Sequence, residues 1–151
     1  MLAQSRAFDA RELAEYRLTV EVFERFVAAS DRIAVVSRED QHLIDRPLFT
    51  RDVSVLGDAP VVAHELELRL SQHDGLAGAL RTEGMTAREY TTFALTLFGA
   101  RLAYGFMASG ALRFVPKGVP TDNVHFVETH LAAVTKVLQV LGVEEPPPAR
   151  R

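Results

Sequence analysis

The apolar positions of this chain recur by threes and fours, the spacing that lines one face of an α-helix. Leu13, Tyr16, Val20, Phe23, Val27, Ser30 and Ala34 make one such stripe, and Val22, Phe26, Ala29, Ile33 and Val36 make a second beside it. Two stripes on one helix mean more than one packing neighbour. Asp9 stands where a side chain can accept from free backbone N–H groups, and Glu12 follows three residues later. That capping-box pattern predicts a first long helix over 9–37. Ser37-Arg38-Glu39-Asp40 ends it, and 41–57 keeps no sustained period, with Pro47 and Gly57 as breakers. That stretch reads as loop holding one short turn of helix.

A second helix is predicted over 59–73, because Asp58 precedes Ala59-Pro60 and proline is tolerated in a first turn, where its missing N–H has no partner to lose. Its Val62, Leu66 and Leu70 share a face. Asp74-Gly75 interrupts, a short helix covers 76–82, and Gly84 closes it. Thr86 with Glu89 is a second capping box and opens a helix over 87–109 that is apolar nearly all round. Tyr90, Phe93, Leu97, Ala100, Tyr104 and Met107 form one stripe, while Leu95, Phe98, Leu102 and Phe106 occupy much of the rest. Such a helix should be central, and Gly99 and Ala103, four apart, would let another helix approach its backbone closely. Pro116, Gly118 and Pro120 make 110–120 an irregular crossover. Thr121 then caps a last helix over 122–141, striped by Val124, Val127, Leu131, Val134, Leu138 and Leu141. Gly142 stops it, and Glu144-Glu145-Pro146-Pro147-Pro148 sends 143–151 into a disordered tail. The fold predicted is a single all-α domain, a four-helix-type bundle with an additional short helix and irregular connections.

Composition narrows the function classes. A chain of 151 residues suits one core. A formal charge of -3, with the basic residues spread among more numerous acidic ones, argues against a nucleic-acid partner. The absence of cysteine excludes disulfides, thiolate metal sites, cysteine nucleophiles and covalent haem attachment. Residues 91–109 approach the length of a membrane span, yet their threonines, two glycines and mid-span Arg101 mark a buried central helix rather than a transmembrane segment. The N-terminus lacks the basic-then-apolar build of a signal peptide, and Met1-Leu2-Ala3-Gln4-Ser5 reads as a mature start behind an initiator Met.

Little of the titratable chemistry is arranged for catalysis. His125 and Glu128 have metal-ligand spacing, but both fall on the polar side of the last helix, as a solvated surface pair would. Paired Glu-x-x-His helices are absent, His64-Glu65 leads to Leu68 where a second His would be needed, and His42 and His73 have no predicted partner. No metal and no cofactor are therefore predicted. His130 lies in the apolar arc between Val134 and Val137, either as a hydrogen-bonded core residue or as part of a pocket wall. Arg101 projects beside Leu97 and Tyr104 and cannot shed its charge. It needs a partner, with Asp31 or Glu24 of the first helix expected, the alternative being an acidic ligand. The hydroxyls of Tyr16, Tyr90 and Tyr104 are expected to link helices. No nucleophile elbow accompanies the Ser, His and Asp residues, and Gly75-Leu76-Ala77-Gly78 lacks the Lys-Ser/Thr of a phosphate loop.

Two stretches carry a family resemblance: EYRLTVEVFERFVAAS at 15–30, and GMTAREYTTFALTLFGARLAYGFMASG at 84–110 followed by VPTDNVHFVETHLAAV at 119–134. They resemble a family of small exported bacterial helical proteins of unassigned activity, with an acidic-aromatic first helix, a Gly-x-Thr/Ser-x-Arg-Glu-Tyr helix start and an Asn-Val-x-Phe-Val opening to the last helix. The resemblance covers about half the chain and implies an exported or periplasmic location, with the signal peptide absent from this sequence; otherwise the protein is cytoplasmic. It carries over no catalytic residue. The function expected is a non-enzymatic binding or interaction module that either forms a homodimer or holds a small apolar or acidic ligand between helices. Its candidate ligand-binding residues are Arg101, Tyr104 and His130. The alternative is a small enzyme or haem-type cofactor protein using an interhelical pocket near His130.

Overall fold

The structure, a computed structural model of the chain, describes residues 8–49, 59–116 and 118–144. Among them are eight helices and no strand: α1 Ala10–Glu15, α2 Val20–Glu39, α3 Gln41–Asp45, α4 Ala59–Gln72, α5 Asp74–Thr82, α6 Ala87–Ala108, α7 Thr121–Thr129 and α8 Leu131–Val140. The protein is all-α, and α6 is central, touching α1, α2, α4, α5 and α7. Its buried side chains meet those of its neighbours in a single hydrophobic cluster that includes Phe26, Leu70, Leu76, Phe93, Leu97, Val127 and Leu138. Aromatic rings tie α6 to α2: Phe26 lies 4.8 Å from both Tyr90 and Phe93, centroid to centroid.

The expected first long helix is broken in two at Tyr16-Arg17-Leu18-Thr19. A distant side chain causes the break. Asn123 Oδ1 accepts the Leu18 N–H at 2.9 Å, and Asn123 Nδ2 donates to the Tyr16 carbonyl at 2.7 Å. Both backbone groups would be paired internally in a continuous helix, and a buried amide can bind them only if the chain is extended there. Thr19 restarts the helix, its hydroxyl accepting the Val22 N–H. The register changes across the gap, so Leu18 is buried while Val20, assigned to the core stripe by spacing, is 48% exposed. The capping box at Asp9 is only half realised. Asp9 accepts from the Arg11 N–H, and Glu12 turns instead to Arg88.

The last helix is also two helices, separated at His130, whose backbone (φ -114°, ψ 28°) leaves the helical region. No proline or glycine marks the position. The two halves serve different neighbours, α7 resting on α6 and α8 on α2. The expected Thr121 cap is displaced as well: Pro120 holds the cap position and Thr121 is the first helical residue. At the other end Gly142 adopts φ +79°, a conformation glycine reaches without steric cost, and the Val143 N–H closes back on the Leu138 carbonyl. Val143 and Glu144, placed in the disordered tail by composition, are thus part of the fold, and 145–151 lie outside the described residues. So does the Asp58 start signal of α4. Helix α5 begins earlier than expected because the His73 ring accepts the Leu76 N–H and caps it, which brings Asp74-Gly75 inside the helix.

Candidate functional site

Arg101 and Tyr104 are brought together, the guanidinium carbon lying 5.9 Å from the ring centroid. The charge partner is Glu144, 2.9 Å from Arg101 Nε, and not Asp31 or Glu24, which stand exposed on α2. The contact is an ion pair without a well-directed hydrogen bond, since the Nε–H does not point along it. A Cβ at position 105 would come within 3.1 Å of Arg101 Nη1, so Gly105 leaves room for the guanidinium. Sequence spacing hides this partner, because the Glu-Glu-Pro-Pro-Pro composition places Glu144 in a tail. His130 does not join this pair. Its ring lies at the α7–α8 junction, 4.6 Å from Phe126 and 6.3 Å from Phe23. His125 and Glu128 are exposed on α7, and no group of three or more His, Asp or Glu among the described residues is placed to hold a metal ion.

Three further polar contacts join helices; two of them escape the sequence reading, and the third is the helix link expected of the Tyr90 hydroxyl. Arg88 Nη2 donates to both carboxylate oxygens of Glu12, at 3.2 and 3.0 Å, and Nη1 lies 3.7 Å from Glu67, which is only 5% exposed. The same guanidinium sits 4.1 Å over the Phe8 ring, so one side chain ties α1, α4 and α6. His73 Nδ1 accepts a backbone N–H, which puts the proton on Nε2, and Nε2 donates to Asp40 Oδ2 at 2.8 Å. Asp40 also caps α3 by accepting from the His42 and Leu43 N–H groups. The His73 hydrogen bond, with smaller help from those two, holds the Asp40 carboxyl below its ordinary range. Finally, Ser30 and Tyr90 hydroxyls meet at 2.8 Å in the core. Burial raises the Tyr90 hydroxyl far above the ordinary tyrosine range, with the Ser30 bond opposing in part. Tyr16 is raised too, by burial and then by Glu89, with Arg25 opposing. All three contacts brace helices against each other, and none sets a nucleophile beside a base.

An apolar groove with room for a ligand lies elsewhere. Gly99, Leu102, Ala103 and Phe106 occupy one face of the C-terminal half of α6, and Ala111, Leu112, Pro116 and Val119 of the crossover stand opposite them. Between the two walls is a groove of about 410 Å³. At about 100° per residue this face of α6 points away from Arg101 and Tyr104. A Cβ added to Gly99 would meet nothing within 4 Å, so the close approach anticipated there is not made by the described residues, whereas Ala103 is buried. Leu102 and Phe106 remain 37% and 42% exposed on its rim. A smaller groove of about 240 Å³ runs between α2, α3 and the end of α8, with Ser37 and Arg38 in its wall. Neither groove is lined by Arg101, Tyr104 or His130.

Fold and site together define a small all-α protein with an apolar surface groove built on its central helix. No family model, no curated protein and no solved structure matches the chain. No described helix is long and apolar enough to cross a membrane.

Proposed function

We propose that this protein is a non-enzymatic binding module that holds a small apolar molecule in the groove between α6 and the crossover. The observation that carries the reading is the groove itself, about 410 Å³ with no charged side chain in its lining. Ligand sites fall in the range of roughly 300–1,000 Å³, are mostly apolar and are largely preformed. An acidic ligand anchored by Arg101 has less behind it, because that guanidinium is engaged by Glu144 on the other side of the helix. The haem-type alternative draws no support from His130, which lies against phenylalanine rings and outside both grooves. The open floor at Gly99 and the exposed Leu102 and Phe106 favour a homodimer as the second reading. The resemblance to exported helical proteins would place either activity outside the cytoplasm.

The test is Gly99→Leu, read by titration with Nile red. Leucine there projects into open space and improves helix propensity, so the melting temperature should hold or rise. The wild type should enhance Nile red fluorescence saturably, and the variant should lose most of that signal. No enhancement by the wild type, or an undiminished signal in the variant, removes the proposal. A wild-type dimer in sedimentation that the substitution converts to monomer assigns the groove to a second copy instead.

A further inference from the structure

We propose that the smaller groove, between α2, α3 and the end of α8, binds a small amphipathic carboxylate, with the acid group at Arg38 and the hydrocarbon chain along the apolar walls. This is a second site, on different elements from the groove over α6, and it does not depend on that groove being filled. Arg38 is the one charged side chain among the described lining residues, Ser37 precedes it, and Ile33, Leu43, Ile44 and Leu48 supply apolar wall. Neither the Arg38 guanidinium nor the Ser37 hydroxyl has an ion-pair or hydrogen-bond partner among the described residues. The positions three and four away from Arg38 are Ala34, Val35, Gln41 and His42, so its own stretch of chain offers no carboxylate at helical spacing. Asp40 is taken by His73 and by the cap of α3, Asp45 accepts from Gln41, and Glu39 is exposed and outside the lining.

The walls, by contrast, are braced from outside the groove. Arg69 of α4 donates to the Arg46 and Pro47 carbonyls, and Phe49 meets Phe98 of α6 edge-on at 5.5 Å, so the wall from Pro47 to Phe49 is held at both ends. The His73–Asp40 bond pins the corner where α2 passes into α3. Walls fixed before a ligand arrives have less freedom to lose when it binds. The groove of about 240 Å³ is smaller than the roughly 300–1,000 Å³ usual for drug-sized molecules, which suits a short chain. A guanidinium meets a carboxylate through two parallel N–H···O bonds, and the Ser37 hydroxyl is free to donate a third. Helix α8 ends at this groove, and the negative end of a helix repels an anion. The acid group therefore belongs at Arg38, and the hydrocarbon chain against Val140 and Leu141.

The experiment is a titration of the isotope-labelled full chain with sodium octanoate at neutral pH, followed amide by amide in NMR spectra, with octan-1-ol as the uncharged probe of equal chain length. Octanoate should shift the Arg38, Leu43, Ile44 and Leu141 amides saturably. Octanol should bind there roughly fivefold more weakly, although it is the more hydrophobic of the two. Arg38→Gln should weaken octanoate roughly tenfold and leave octanol unchanged, which removes the preference. Added salt should narrow it in the wild type. Ile44→Ser should weaken both probes by taking away apolar contact area. Arg38 and Ile44 are exposed, so unchanged melting curves will show that the variants are folded. Gly99→Leu should bind octanoate at these positions as the wild type does, which separates this proposal from the fate of the groove over α6. No shift at these amides, octanol binding there as tightly as octanoate, or full octanoate affinity in Arg38→Gln overturns the proposal. A wild-type dimer in sedimentation that Ile44→Ser converts to monomer also overturns it, giving the groove to a second copy.

Discussion

The two halves of α6 are alike in sequence and opposite in circumstance. From Tyr90 to Leu95 every residue is buried, whichever way it points. The helix start is tied by Arg88 to Glu12 and Glu67, by Tyr90 to Ser30, and by Phe93 to Phe23 and Tyr16. Beyond Phe98 the helix is just as apolar, yet Leu102 and Phe106 face outward over the groove, and the one ion pair, at Arg101, is only partly sheltered. A helix that is apolar all round announces that it has many neighbours to satisfy. It does not say how many of them its own chain supplies. Here five helices reach α6, and Ala100 and Ala103 of its second half are buried, yet one face of that half is left with only the crossover opposite it and an open groove between.

That contrast has consequences of graded size. The largest is at Arg88. Arg88→Met takes the positive charge from beside two carboxylates, one of them almost fully buried, and should destabilise the fold by about 2–4 kcal/mol in chemical denaturation, less than a fully enclosed pair would lose because the arginine is partly exposed. A loss under about 1 kcal/mol would put this contact in the class of surface pairs and erase the difference between the halves.

Tyr90→Phe should cost about 1–3 kcal/mol, because the Ser30 hydroxyl is left in the core without its partner. It also has a pH signature. The folded protein keeps Tyr90 protonated while the unfolded chain releases that proton above its ordinary value of about 10. The folded state then binds more protons, so stability falls as pH rises past that value. The Tyr90→Phe variant should show a shallower alkaline decline than the wild type. Equal slopes would mean that Tyr90 reaches water.

Arg101→Met is the smallest effect, at most about 1 kcal/mol, since both members of the Arg101–Glu144 pair keep about a quarter of their surface in water. A loss comparable to that of Arg88→Met would show that the second half of the helix is enclosed in solution. Glu144→Gln should act in the same direction and no more strongly.

Much of the architecture was legible because its signals are local. Helix starts at Asp9 and Thr86, stops at Gly84 and Gly142, and the central place of α6 follow from capping, glycine conformation and apolar spacing, each decided within a few residues. The failures share one cause, a partner far away in the chain. Asn123 opens the first helix at Tyr16, and nothing near Tyr16 announces it, because three-four spacing runs through the break unchanged. His130 bends the last helix so that α7 and α8 can face different neighbours, without a proline or glycine to mark it. The Arg101 partner came from beyond the last helix, and Arg88, Glu12 and Glu67 converge from three helices with only the position of Glu67 between two leucines as a hint.

The candidate site divides in the same way. Its materials could be read directly: Gly99 and Ala103 four apart, an apolar Leu102 and Phe106 beside them, and a proline- and glycine-punctuated crossover. Sequence alone determined that this chain would be helical, that α6 would be its axis, and where several of its helices would start or stop, since these depend on hydrogen bonds and spacings spanning one or two turns. Only the tertiary structure decided which face of α6 remained open and which charges met inside. Burial is a property of the assembled neighbours, and a side chain carries no record of whether another helix arrives to cover it.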